Sequence, residues 1–313
     1  MIEWGRKYDS PPQQVRSLFA DIAATYGNPE HELYSVRPSS DFPELPQPST
    51  DMEVLQTDFL RWGYCLVEDA LSADEIAAAT ERLLDQAEAE RTAKVATLTP
   101  AGANTRTDVR LFGSSGNRQL VSNLASKGEI WRKIATYESH NGHIVGDLMH
   151  SILGDGLLLS SMHGVVVEQG SGAQGIHQDQ GFPLPHPPFP THANIICAHQ
   201  PRVFFCLRAL ADRVLPARAD MYTPWSLENG GTYVIPGSAV DASGSPVIVE
   251  GTNAEEYMAS HEYGIVALCA PPGTCFVSDG RVLHAGAPRL APGQRLGNNC
   301  YHCRSNMKQQ ENP

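Results

Sequence analysis

The second half of the chain is a succession of short apolar runs, each closed by Gly, Pro or a polar turn, and this pattern limits the fold more than any other feature. From Leu157 onward the runs are Gly164 to Gln169, Val203 to Leu210, Gly231 to Ile235, Gly264 to Cys269, Thr274 to Ser278 and Leu296 to Cys303. Apolar stretches of this length between turn residues read as strands. The 27 Gly and 23 Pro are spread along 313 residues, supplying the turns that a β-rich body needs and a helical bundle does not. The expected fold is mainly β with flanking helices, around a sandwich or barrel; the number of strands suits a double-stranded β-helix, the cupin-like jelly roll.

The rest of the chain is arranged around that core. Residues 1–50, rich in Pro, Ser and Asp, read as an irregular arm. Residues 51–155 read as a mainly helical flank and 156–305 as the core, all within one domain spanning 1–313. Within the flank an amphipathic segment begins at Asp58, a short strand runs from Gly63 to Val67, and Ser72 followed by Glu75 forms a capping box for a helix from Ala73 to about Arg91. A second helix is expected from Ile130 to Ile152, ended by Gly154. The Pro-rich stretch 181–201 is long for a loop in a compact barrel and is the expected place for substrate contacts.

Charge and cysteines narrow the function. Lys+Arg 23 against Asp+Glu 35 gives −12, with no basic cluster, so a nucleic-acid partner is not expected. No apolar run is long enough to span a membrane and no leader pattern opens the chain, so a cytoplasmic protein with no membrane partner is expected. Seven cysteines without a dense framework predict no structural disulfide. Cys300 and Cys303 have a redox or zinc spacing, but on a strand positions i and i+3 face opposite ways, so they read as unrelated buried thiols.

Among the twelve histidines, His177 alone is followed at i+2 by a carboxylate, Asp179. On a strand the two side chains share a face, so one rigid element can offer a nitrogen and an oxygen to one ion. His284, in Asp279-Gly-Arg-Val-Leu-His284, is the candidate for the third ligand. Two histidines and a carboxylate form a facial triad, which leaves positions open on iron(II) for a chelating co-substrate and oxygen. Arg295, eleven residues past His284 and beyond a Pro/Gly turn, is placed to clamp a distal carboxylate through a bidentate pair, with Arg289 in the turn as its rival. His163 and His302 are further candidates to line the pocket.

His177-Gln-Asp179, Glu228-Asn-Gly-Gly-Thr232 leading into Ile235-Pro-Gly-Ser238, and Asp279 to His284 followed by Arg295 together resemble the phytanoyl-CoA dioxygenase family of iron(II)/2-oxoglutarate oxygenases. The likeness covers about residues 160 to 305, and the run from Asp58 to Glu75 is similar to that family's opening. The resemblance implies catalytic residues His177, Asp179, His284 and Arg295, the first three binding Fe(II), with 2-oxoglutarate and O2 as co-substrates. It also implies that Arg295, Gln174 and Thr232 contact 2-oxoglutarate. Ala239 stands where the family commonly has His after Pro-Gly-Ser, and Asp179 is retained where halogenating relatives have a small residue. The implied activity is oxidation of a C–H bond in a small lipophilic or polycyclic molecule, in secondary-metabolite biosynthesis, by hydroxylation, desaturation or rearrangement. Fatty acyl-CoA 2-hydroxylation and a redox-inert cupin-like metalloenzyme are the alternatives. The expected partner is a small molecule, and a homodimer is a compatible assembly.

Overall fold

The computed structural model describes residues 36–99, 111–113, 118–171, 202–207, 231–239, 261–289 and 291–304. In chain order its elements are β1 (Arg37–Pro38), α1 (Met52–Trp62), β2 (Tyr64–Val67), α2 (Ala73–Thr92), β3 (Ala96–Thr99), β4 (Leu111–Gly113), β5 (Arg118–Val121), α3 (Glu129–Ala135), α4 (Gly142–Leu153), β6 (Leu158–Glu168), β7 (Arg202–Leu207), β8 (Thr232–Val234), β9 (Val266–Ala267), β10 (Cys275–Ser278), β11 (His284–Gly286) and β12 (Gln294–Cys303). Among the described residues the strands form two sheets, one in the order β2-β10-β7-β12-β6-β5-β3-β4 and a smaller one in the order β1-β9-β8-β11. All pairings between these strands are antiparallel except β1 with β9. The architecture is mainly sheet with flanking helices, as the sequence leads one to expect.

Each strand read from the sequence is present; β6 begins at Leu158, six residues before the expected Gly164, and residues 208–210 of the expected Val203 to Leu210 run lie outside the described residues. The flank differs from expectation in three ways. The first helix begins at Met52, with the Asp51 carboxylate accepting from the Glu53 and Val54 N–H groups, well before Asp58. The expected helix from Ile130 to Ile152 is two helices, because the chain turns over residues 136–141 with Tyr137 in the left-handed region. The region between α2 and α3 also contributes three strands, β3 to β5, which extend the larger sheet.

The expected capping box is present: Ser72 Oγ accepts from Glu75 N–H at 3.3 Å and Glu75 Oε2 accepts from Ser72 N–H at 2.9 Å. It starts α2, whose Ile76, Ala79, Leu83 and Ala87 lie on one stripe and press on the larger sheet. Gly164 on β6 makes this approach possible, since a Cβ there would lie 2.4 Å from Leu83 Cδ1. Leu55 and Phe59 of α1, Trp131 of α3, and Val145 and Leu148 of α4 complete the cover. Burying each such side chain is worth about 1.5–3 kcal/mol.

The other face of the larger sheet meets the smaller one. Tyr64, Leu66 and Phe276 from the larger sheet share a second apolar cluster with Val234 and Val266 from the smaller, together with Trp62, Ala239 and Val282. The space between the sheets is therefore closed by apolar contact at this end. No described helix is long and apolar enough to cross a membrane.

Candidate active site

His284 opens β11 and pairs with Val234 of β8, while Thr232 pairs with Gly286. Residues directly opposite in a ladder share a face, and Val234 belongs to the inter-sheet cluster. His284 and Thr232 therefore face the space between the sheets. His284 is 4% exposed, and its Nδ1 lies 2.9 Å from the Val282 carbonyl oxygen. A carbonyl can only accept, so Nδ1 carries the proton and Nε2 presents its lone pair, the tautomer a metal requires. The donor chemistry of His284 thus fits a metal ion.

Arg295 approaches from the larger sheet. Its Nη1 donates to the Gly231 carbonyl at 3.3 Å, and the same carbonyl accepts the Ala287 N–H at 3.0 Å. One carbonyl therefore links the arginine to Thr232, its chain neighbour, and to the strand end that follows His284. Arg289 has a different setting. It is 1% exposed, its Nη2 donates to Pro292 O at 2.6 Å, and its backbone N–H donates to Ser171 O at 3.1 Å. This ties Arg289 and Pro292 to each other and Arg289 to the residues just past β6.

Sequence reasoning missed Arg118. It pairs with Val167 of β6, and Val167 pairs on its other side with Arg295, so the two arginines stand in one row across three strands and on one face. The next residue, Gln119, points to the helices, donating to Ala87 O at 3.0 Å and accepting from Arg91 at 2.6 Å. Strand alternation then directs Arg118 inward with Arg295. Burial, and secondarily the charge of Arg295, push the Arg118 guanidinium down to about 9, which still leaves it charged at neutral pH. Two guanidiniums on one wall make a seat for an anion. No spacing in the sequence marks Arg118, whereas Arg295 stands at a telling distance from His284.

Further along the same face, Asn299 Nδ2 lies 3.0 Å from His163 Nε2, and the His163 ring stacks on Tyr301 at 5.3 Å. His302 belongs to the opposite face: it is buried against Tyr137, with ring centroids 5.6 Å apart. Of the two extra histidines expected near the pocket, only His163 is on that side. Cys300 and Cys303 are free thiols. His177, Asp179, Gln174 and the 181–201 stretch lie outside the described residues.

An inward histidine on the smaller sheet thus faces a wall of the larger sheet that carries two guanidiniums. Residues 59–203 match the family model described as phytanoyl-CoA dioxygenase (PhyH), a family of non-haem iron enzymes that use Fe(II), 2-oxoglutarate and O2. No curated protein sequence matches. The fold is similar to that of the epimerase SnoN in complex with Fe3+, alpha ketoglutarate and nogalamycin RO, at 17% identity over 81% of this chain and 83% of that one, TM-score 0.53. It is also similar to the alpha ketoglutarate dependent carbocyclase SnoK from nogalamycin biosynthesis, at 15% identity over 82% of this chain and 87% of that one, TM-score 0.55. HygX from Streptomyces hygroscopicus, with nickel, 2-oxoglutarate and hygromycin B bound, is similar at 12% identity over 82% and 88%, TM-score 0.53.

Proposed function

We propose that this protein oxidises a C–H bond of a small lipophilic or polycyclic molecule in secondary-metabolite biosynthesis, within a double-stranded β-helix core. The observation that carries this reading is the link through Gly231, which brings Arg295 from the larger sheet to the strand pair that holds Thr232 and His284. Fe(II) in this reading is held by His177, Asp179 and His284. When bound, it supplies with 2-oxoglutarate and O2 an oxidant able to take a hydrogen atom, with release of succinate and CO2.

The chain's own residues then bind and orient. His284, fixed by the Val282 carbonyl, offers Nε2 in one direction. Arg295 grips the distal carboxylate of 2-oxoglutarate, Arg118 adds positive charge to the same wall, and Thr232 and Gln174 contribute polar contacts. The solved relatives support a tailoring role: an epimerase and a carbocyclase of one antibiotic pathway share this fold. Rearrangement outcomes stand beside hydroxylation for that reason.

The test is anaerobic addition of Fe(II) and then 2-oxoglutarate to the metal-free protein, followed by its weak visible charge-transfer band. The band is expected in the wild type and absent in His284→Ala. Tight metal binding with no band at any 2-oxoglutarate concentration would refute the oxygenase reading in favour of a redox-inert metalloenzyme.

A further inference from the structure

The strand that begins at His284 is three residues long, and the segment leading into it, residues 279–283, lies outside any strand. Two sets of contacts hold this lead-in. On one side Asp279 closes on Arg281, accepting from its backbone N–H at 2.9 Å, its Nε at 3.0 Å and its Nη2 at 2.6 Å. The Asp279 N–H donates to Gly63 O at 2.8 Å. On the other side stands the Pro236-Gly237-Ser238 turn, anchored by Gly237 N–H to Trp62 O at 2.8 Å. From that turn the fully buried Ser238 accepts the Leu283 N–H on its Oγ at 2.9 Å.

The Leu283 N–H and the Val282 carbonyl belong to one peptide unit, which is planar, with the two groups pointing in opposite directions. The same unit therefore meets Ser238 on one side and His284 Nδ1 on the other, at 2.9 Å each. We propose that Ser238 is a positioning residue of the metal centre: by holding the Val282–Leu283 peptide plane, it aims the Val282 carbonyl at His284 and so sets the direction of Nε2. Polarisation along such a chain of hydrogen bonds also strengthens the carbonyl as an acceptor and the imidazole as a donor to metal. The proposal rests on the reading of His284 as a ligand.

The fit around the turn is close. Ala239 lies in the inter-sheet cluster, and a Cβ on Gly63, whose φ is +78°, would lie 2.6 Å from Val282 Cγ2 and 3.1 Å from the Ala239 Cβ. The missing side chain at Gly63 therefore lets both Val282 and the Ala239 end of the turn pack against the end of α1.

The test is anaerobic Co(II) titration of metal-free wild type, Ser238→Ala, Ser238→Thr and Ser238→Cys, read by the d–d absorption of the bound ion, with urea unfolding of each metal-free protein. Groups that orient metal-binding histidines contribute about 10- to 100-fold in affinity. Ser238→Ala is expected to lose roughly tenfold and shift the absorption while keeping its metal-free unfolding midpoint, and Ser238→Thr to restore both. Unchanged Co(II) affinity in Ser238→Ala overturns the proposal, as does an affinity loss that merely follows a loss of metal-free stability and is not rescued by Thr. Should Ser238→Ala not fold, Ser238→Cys decides: weaker affinity at wild-type stability supports the relay, wild-type affinity overturns it. Retention of Co(II) affinity by His284→Ala would instead sink the ligand reading itself, a result distinguishable from failure of Ser238 alone.

Discussion

Along β12, Leu296, Cys300 and His302 turn toward the helices, while Arg295, Asn299 and Tyr301 turn toward the smaller sheet. β6 divides in the same way, with Met162 and Val166 on the helix side and His163 inward. The helix side is sealed. Burial pushes the Cys300 thiol up to about 12, against a lesser opposing effect of the Asn298 side chain, so it stays neutral and unreactive. The inward side carries two guanidiniums, an imidazole and an amide. The two-residue period of a strand thus assigns stability and recognition to alternate residues of one element, and a register slip of one position would exchange them.

That division predicts separable defects. On the helix face, Met162→Ala removes a fully buried side chain and is expected to cost about 2–5 kcal/mol in urea unfolding, with turnover per folded molecule retained. A comparable loss of turnover at full occupancy of the folded state would show that the two faces are not independent. The His302 imidazole has its pKa pushed down to about 4 by burial, from 6.5. Below pH 6.5 the unfolded chain takes up a proton that the folded one refuses, so stability present at neutral pH is lost as pH falls toward 4. The whole window is worth on the order of 3 kcal/mol. His302→Phe, which can still stack on Tyr137 without titrating, should flatten this dependence between pH 7 and pH 5, and an unchanged slope would assign it to other groups. On the inward face, Arg295→Ala removes a charge-assisted contact of about 1.5–3 kcal/mol. It is expected to raise the 2-oxoglutarate requirement with the urea midpoint unchanged. If 2-oxoglutarate affinity were held while Arg289→Ala weakened it, the turn arginine would be the clamp.

What the sequence made legible was local or strictly spaced. The Ser72/Glu75 box identifies the start of α2 because both partners lie within one turn of helix, and His284 and Arg295 stand out because a strand-turn-strand unit separates them. The break at residues 136–141 was hidden because apolar periodicity continues on both sides of it, while the turn depends on tertiary space: a Cβ on Gly146 would lie 3.0 Å from the Tyr137 ring. The strands β3 to β5 are too short to show alternation, so they read as part of a helical flank. Arg118 went unseen for the same reason, since its partner is a register mate two strands away. His163 and His302 look alike in sequence, and only the pairing of β6 with β12 places them on opposite faces.

Among the described residues β1 stands at one edge of the smaller sheet and supplies just Arg37 and Pro38, parallel to β9. Proline has no N–H to offer, and a two-residue strand with a charged neighbour is a poor template for another chain. Arg37 and Pro38 thereby cover β9 with an edge that offers little to a second chain. A chain shortened to begin at residue 51 would take this neighbour from β9, and the expected loss is colloidal: edge-to-edge stacking of copies, read by light scattering.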